Sequence, residues 1–198
     1  TLTSNYDLAN GSTVTISGLT GTSTPTNTAL AVASTSGLLG TTGNWTADGV
    51  LVLTAALGGP SVSAGAVEVE FTLTNPTAAQ GAVTAQVEAT IGSGGAVGSI
   101  APGNMTVLST PLYEVVNGSR PLLVVEPLFS VKDIGQSTPV SGATNMLTVT
   151  LSSNTHQSTA GSIVTISGLA GSATETTGSM AVASTSGLLG TSGDWDKN

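Results

Sequence analysis

The single histidine, His156, stands in a polar stretch, Asn154-Thr-His-Gln-Ser158. Serine-histidine-carboxylate catalysis needs a buried acid behind the imidazole and an oriented hydroxyl before it. In a chain this rich in Ser and Thr a nearby hydroxyl carries no information, so His156 reads as a solvated loop residue. Glu68 and Glu70 are a carboxylate pair within Val67-Glu-Val-Glu-Phe71. Glycoside chemistry requires two carboxyls facing each other across a cleft. Residues two apart on a strand share one face instead, where two charges discourage edge pairing. Asp194-Trp-Asp196 resembles half of a calcium loop. Calcium takes about six to eight oxygens, and the corresponding Asn44-Trp-Thr46 carries neither charge. The expectation is no catalytic constellation, no metal, no cofactor and no enzyme.

Modification is the chemistry that remains. Asn-x-Ser/Thr occurs at Asn10, Asn44, Asn104 and Asn117, the acceptor pattern for N-glycans. Asn10, Asn104 and Asn117 fall in turn-like segments; Asn44 sits beside Trp45. Thr22, Thr24, Thr26 and Thr28 alternate around Pro25, and Thr24 and Thr26 are candidate O-glycan sites. Trp45 and Trp195 could each be a sugar-stacking platform or a core plug, and burial is the commoner fate of a tryptophan in a sandwich.

These residues must be carried by strands. Apolar and polar residues alternate in Val14-Thr-Ile-Ser17, Val50–Thr54, Val67–Thr74, Val83–Ile91 and Met146–Leu151, the period of a strand with one buried face. β-branched residues fill these runs, as a pleated surface favours. Further strands are expected at Met105–Ser109, Leu122–Val131, Ser162–Leu169, the Val32 and Val182 regions, and the stretches reaching Trp45 and Trp195. No window sustains helical spacing. Turn clusters at 18–21, 58–60, 75–76, 92–98, 117–119 and 139–142 punctuate the runs.

The strands come in two copies. Residues 11–45 return at 161–195 with 24 identities over 35 positions, at an offset of 150. Ala31 to Thr41 is identical to Ala181 to Thr191. A period this long is too great for a solenoid and suits a domain. Seven to nine strands per period predict an all-β fold: tandem immunoglobulin-like β-sandwich modules repeating about every 150 residues. The module start is placed near Pro121. Residues 1–120 are then one sandwich lacking its first strand or two, and 121–198 the opening half of the next. A half-sandwich leaves a sheet face bare. Its remaining strands are expected from the continuing chain or from a neighbouring molecule adding strands at an open edge.

Composition narrows the partners. Charged residues are 7% of the chain, net charge is −8, and the cations are Arg120, Lys132 and Lys197. Phosphate neutralisation needs several Lys or Arg, so nucleic acid and anionic membranes are poor partners. The most apolar run, Pro121–Phe129, is short and broken by Glu126 and Pro127, and cannot span a bilayer. With no cysteine there is no disulfide framework or thiolate site.

Three phrases carry a family resemblance: Val164-Thr-Ile-Ser-Gly-Leu169, Phe71-Thr-Leu-Thr-Asn-Pro76, and Ile134-Gly-Gln-Ser-Thr-Pro139 followed by Gly142-Ala-Thr-Asn145. In order and spacing they resemble the tandem modules of very large secreted proteins of algae and other protists. The resemblance covers nearly the whole chain and is weakest across Gly92–Arg120. It implies immunoglobulin-like modules of extracellular, cell-surface or filament glycoproteins, with covalent glycans and copies of itself as partners. It brings no catalytic residues. The alternative expectation is an adhesin-like or carbohydrate-binding surface module.

Overall fold

The computed structural model describes residues 2, 8–34, 37–55, 66–92, 98–155 and 161–197. His156 and the expected turn at 58–60 lie outside them, as do parts of the 92–98 turn. Every regular element among the described residues is a strand. The chain divides into two compact units, Thr1–His156 and Gln157–Asn198, and each is described by itself. The module boundary at 120/121 concerns the sequence period rather than this division.

In the first unit, β1 (Thr13–Ser17), β2 (Asn27–Ser34), β3 (Thr42–Thr46), β4 (Val50–Thr54), β5 (Val69–Phe71), β6 (Gln86–Ile91) and β7 (Gly98–Asn104) form one curled sheet. Their order is β5-β2-β3-β4-β1-β6-β7, every pairing antiparallel. Strand alternation decides which side is dry. Val14 lies opposite Leu53 and Ala89, Ile16 opposite Leu51, and Trp45 opposite Leu51, so one face collects these apolar side chains. Leu19, Leu30, Val32, Leu39, Val67 and Ala85 complete the cluster, with Phe71, Leu73 and Met105 among the residues packed against it. Trp45, Leu51 and Leu53 are fully buried. Burying an aliphatic side chain contributes about 1.5–3 kcal/mol, so this face is what holds the sheet together.

The β3–β4 connection shows how closely local sequence fits. Ala47-Asp48-Gly49 is a three-residue hairpin loop ending in Gly49 at φ 87°, the left-handed position such loops reserve for glycine. Gly49 N–H donates to the Thr46 carbonyl at 3.0 Å. A Cβ there would also stand 2.5 Å from the Leu19 carbonyl carbon, so turn geometry and close packing both demand glycine.

β4 matches its expected span and β1 exceeds it by one residue. Elsewhere the strands move. The alternating run Val67–Thr74 keeps only Val69–Phe71, plus a bridge from Val67 to Leu2. Met105–Ser109 is irregular, and the sheet edge is taken instead by β7, which contains Pro102. Proline cannot donate to a ladder and survives at edges and irregularities. Here it falls where the β6–β7 register shifts, between Val87↔Gly103 and Ala89↔Ile100. Of Leu122–Val131 only the end is strand. Val124 instead bridges to Gln80, whose side-chain amide donates to the Leu122 carbonyl at 2.8 Å. β8 (Phe129–Gln136) and β9 (Leu147–Ser153) pair with each other in a separate two-stranded ribbon.

The second unit holds β10 (Thr177–Ala181) and β11 (Ser192–Trp195), an antiparallel pair. Ser162–Leu169, expected as a strand, is irregular.

Candidate functional site

Among the described residues, the hairpin leading into each tryptophan is made twice. In the first copy Asn27 faces Trp45, Leu30 faces Gly43 and Ala31 faces Thr42. In the second, Thr177 faces Trp195, Met180 faces Gly193 and Ala181 faces Ser192. Each ladder is interrupted at the same place, between Asn27 and Leu30 and between Thr177 and Met180. The irregularity is therefore part of the design, as bulges usually are.

Side chains hold both hairpins in one pattern. The Trp45 indole N–H donates to the Thr24 carbonyl at 3.2 Å, and that of Trp195 to the Thr174 carbonyl at 3.1 Å. Thr26 Oγ1 accepts from the Ala47 amide at 3.1 Å; Thr176 Oγ1 accepts from Lys197 at 3.4 Å. Val32 N–H meets the Thr41 carbonyl at 2.9 Å, and Val182 that of Thr191 at 2.9 Å. Where the residue type changes, the acceptor stays. Thr22 Oγ1 and Ser172 Oγ both accept from the residue two ahead, as do Asn27 Oδ1 and Thr177 Oγ1. The same bonds are thus made by different residue types in the two copies.

One exchange adds a contact. Pro25 and Ala47 become Glu175 and Lys197, which form an ion pair at 2.7 Å across the same two segments. Both ends are solvent-exposed, so the pair is worth well under about 1 kcal/mol. Comparing the two copies residue by residue would have found it, because both positions change together.

The candidate glycosylation residues scatter over the first unit. Asn10 is exposed in a turn before β1, and Asn44 is exposed on the outward face of β3, beside buried Trp45. Asn104 ends β7, exposed, with its Oδ1 accepting from the Gln86 side chain at 3.0 Å. Asn117 is half-buried at φ 61°, its carbonyl accepting from Arg120 N–H at 2.9 Å. Thr24 is half-buried, and its hydroxyl accepts from the Thr74 amide at 2.7 Å. Thr26 is exposed, with the acceptor role given above. The sequence pattern missed this tying function of Thr24 and Thr26; the recurrence of threonine at 174 and 176 was the available signal.

Glu68 and Glu70 are exposed beside and on β5, and Asp194 and Asp196 are exposed at β11. Among the described residues no three His, Asp or Glu side chains gather in a way that could hold a metal ion. No helix among them is long and apolar enough to cross a membrane. Trp45, at 0% exposure, presents no ring to a sugar; Trp195 is half-buried. Comparison of the chain with protein-family models, curated proteins and solved structures finds no match.

Proposed function

We propose that this chain is a structural repeat segment of an extracellular, glycosylated fibre or cell-surface coat, assembled from tandem immunoglobulin-like β-sandwich modules. The observation that carries the reading is the hairpin made twice, with one bond pattern and one ladder interruption, 150 residues apart. A segment that reproduces its own hydrogen bonds through substitution is a building unit selected for shape. The modules run 1–120 and 121–198 by the sequence period. The glycan sites are Asn10, Asn44 and Asn104 on exposed positions, with Asn117, Thr24 and Thr26 as further acceptors. The partners are copies of the same module.

The test is electron microscopy of the native protein, together with its intact mass before and after enzymatic removal of N-glycans. An axial repeat and a loss of sugar mass are expected; dispersed particles of unmodified mass would overturn the reading. The adhesin-like, carbohydrate-binding alternative loses its best platform in the first copy, where Trp45 is wholly covered. A glycan-array screen that gives saturable binding dependent on Trp195 would restore it.

A further inference from the structure

Asn-Gly occurs twice in the chain, at Asn10-Gly11 and at Asn117-Gly118. In this dipeptide the glycine nitrogen can attack the asparagine side-chain carbonyl, because glycine adds no side chain to hinder the ring and leaves the backbone free to turn. The structure treats the two pairs differently. Gly118 N–H donates to the Val115 carbonyl at 2.9 Å. A Cβ on Gly118 would stand 2.7 Å from the Leu112 carbonyl oxygen and 3.0 Å from the Leu112 nitrogen, so this glycine is wedged against backbone. Asn117 itself is half-buried.

Asn10-Gly11 differs on each count. Ser12 N–H donates to the Ala9 carbonyl at 2.9 Å, closing a turn with Gly11 at φ 80° in its third position, which a type II turn gives to glycine. Gly11 N–H meets the Ala55 carbonyl at 3.3 Å, longer than the usual range. Beyond its chain neighbours, no atom of the described residues lies within 4 Å of where a Gly11 Cβ would stand. Asn10 and Gly11 are both exposed. Ser12, which completes the sequon, is instead 0% exposed. Its carbonyl accepts from Ala55 N–H at 2.8 Å and its hydroxyl from Gly92 N–H at 3.3 Å.

We propose that Asn10 is a site of spontaneous deamidation in the folded protein, and that the fold protects Asn117 from the same reaction. The Gly11 nitrogen gives its proton to water and bonds to Asn10 Cγ. The Cγ–Nδ2 bond breaks and ammonia leaves, giving a cyclic imide. Water then opens the imide at either carbonyl, leaving aspartate or isoaspartate, with no change of oxidation state. Isoaspartate runs the chain through its side chain, which lengthens the backbone just ahead of Ser12, where segments 9–12, 55 and 92 are bonded together. The inference deepens the glycosylated reading and rests on it for the sugar alone: Asn10 has two exclusive fates. Sugar transfer needs the sequon hydroxyl and precedes the burial of Ser12; it makes the leaving group a bulky glycosylamine and preserves the amide. A bare Asn10 deamidates after folding.

The experiment incubates the full 198-residue protein, produced without glycans, in neutral buffer and in urea. Peptide-mapping mass spectrometry follows both asparagines, and an isoaspartyl methyltransferase marks the isoaspartate. In urea the two should convert at similar rates. In the folded protein Asn10 should stay close to its urea rate, while Asn117 slows roughly tenfold or more, because its ring closes only after a bonded, packed turn has opened. Hydrogen exchange at Ala55 and Gly92 should quicken as isoaspartate accumulates, and Asn10→Gln should abolish both signals. Asn10 persisting in the folded protein while it converts in urea would overturn the proposal. So would Asn117 converting as fast as Asn10 after folding, and unchanged exchange would overturn the effect on β1. A native protein with no sugar at any sequon, whose Asn10 converts, would sink the glycosylated reading and keep the site. A glycosylated fibre whose bare Asn10 persists would do the reverse.

Discussion

Residues 27–46 and 177–195 make the same hairpin, yet Thr13–Ser17 is a strand while Ile163–Ser167, nearly identical in sequence, is not. The difference lies in where each segment finds its partners. β2 and β3 bond to each other across a short connection, so their pairing is encoded within about twenty residues. β1 bonds to β4 and β6, and residues 161–197 contain neither. Ile16 is 5% exposed and its counterpart Ile166 is 47% exposed. Identical side chains thus contribute much more burial in one setting than in the other, because burial depends on the partner rather than on the residue.

Matched substitutions at equivalent positions can break that contrast. The largest effect is expected from the tryptophans. Trp45→Ala removes a fully buried ring and should cost about 3–5 kcal/mol in urea unfolding of the first unit, while Trp195→Ala leaves that transition in place. Equal shifts for the two would mean that the second hairpin is as deeply packed as the first. Next come the glycines. Gly43→Val collides with Leu51 and Leu53 and should destabilise by about 1–3 kcal/mol; Gly193→Val should change thermal unfolding by no more than about 0.5 kcal/mol. A costly Gly193→Val would show that this position, where a Cβ would lie 3.7 Å from Val182 Cγ2, is packed as tightly as Gly43.

A smaller effect is expected at the threonine tie. Thr24→Val deletes the acceptor for the Thr74 amide and should cost about 1 kcal/mol, with Thr24→Ser restoring most of it in the same denaturant titration. Thr174→Val should be nearly silent, since 161–197 includes no counterpart of Thr74. Smallest of all is Glu175→Gln. It loses an exposed ion pair and should shift hairpin stability by a few tenths of a kcal/mol, a difference that salt erases. A salt-independent effect would show that the pair acts by packing instead.

What was readable beforehand follows the same division. Val50–Thr54 declared itself as a short apolar run, β-branched at alternate positions, that begins directly after Gly49, and β1 beside it alternates. The all-β character followed from Val, Ile and Thr filling short alternating runs. The edge strand β7 was hidden, because Gly98-Ser-Ile-Ala-Pro-Gly-Asn104 has a turn-like composition and is a strand only because β6 offers it a ladder. Val67–Thr74 misled in the other direction. It alternates along its length, but only Val69–Phe71 find an opposing strand, at Val32–Ser34. At the candidate sites, the sequons were visible as pattern, whereas the roles of Thr24 and Gly43 were not. A hydroxyl shared with an amide fifty residues away, or a gap filled by two leucines, exists only after the sheet has closed.

The locally encoded hairpin also has a consequence in time. A hairpin forms within about 1–10 μs, and synthesis delivers only some 5–20 residues per second. In each copy the β2–β3 type hairpin can therefore be complete before the next strand has left the ribosome. Its partner edge then waits for something to arrive, at a moment when earlier copies of the same surface are close by. The ion pair Glu175–Lys197 and the acids Asp194 and Asp196, absent from the first copy, make the waiting edges chemically unlike. Misjoining between neighbours is a hazard of repeated chains, and charges at an edge bias which strand pairs there, by fractions of a kcal/mol per pair.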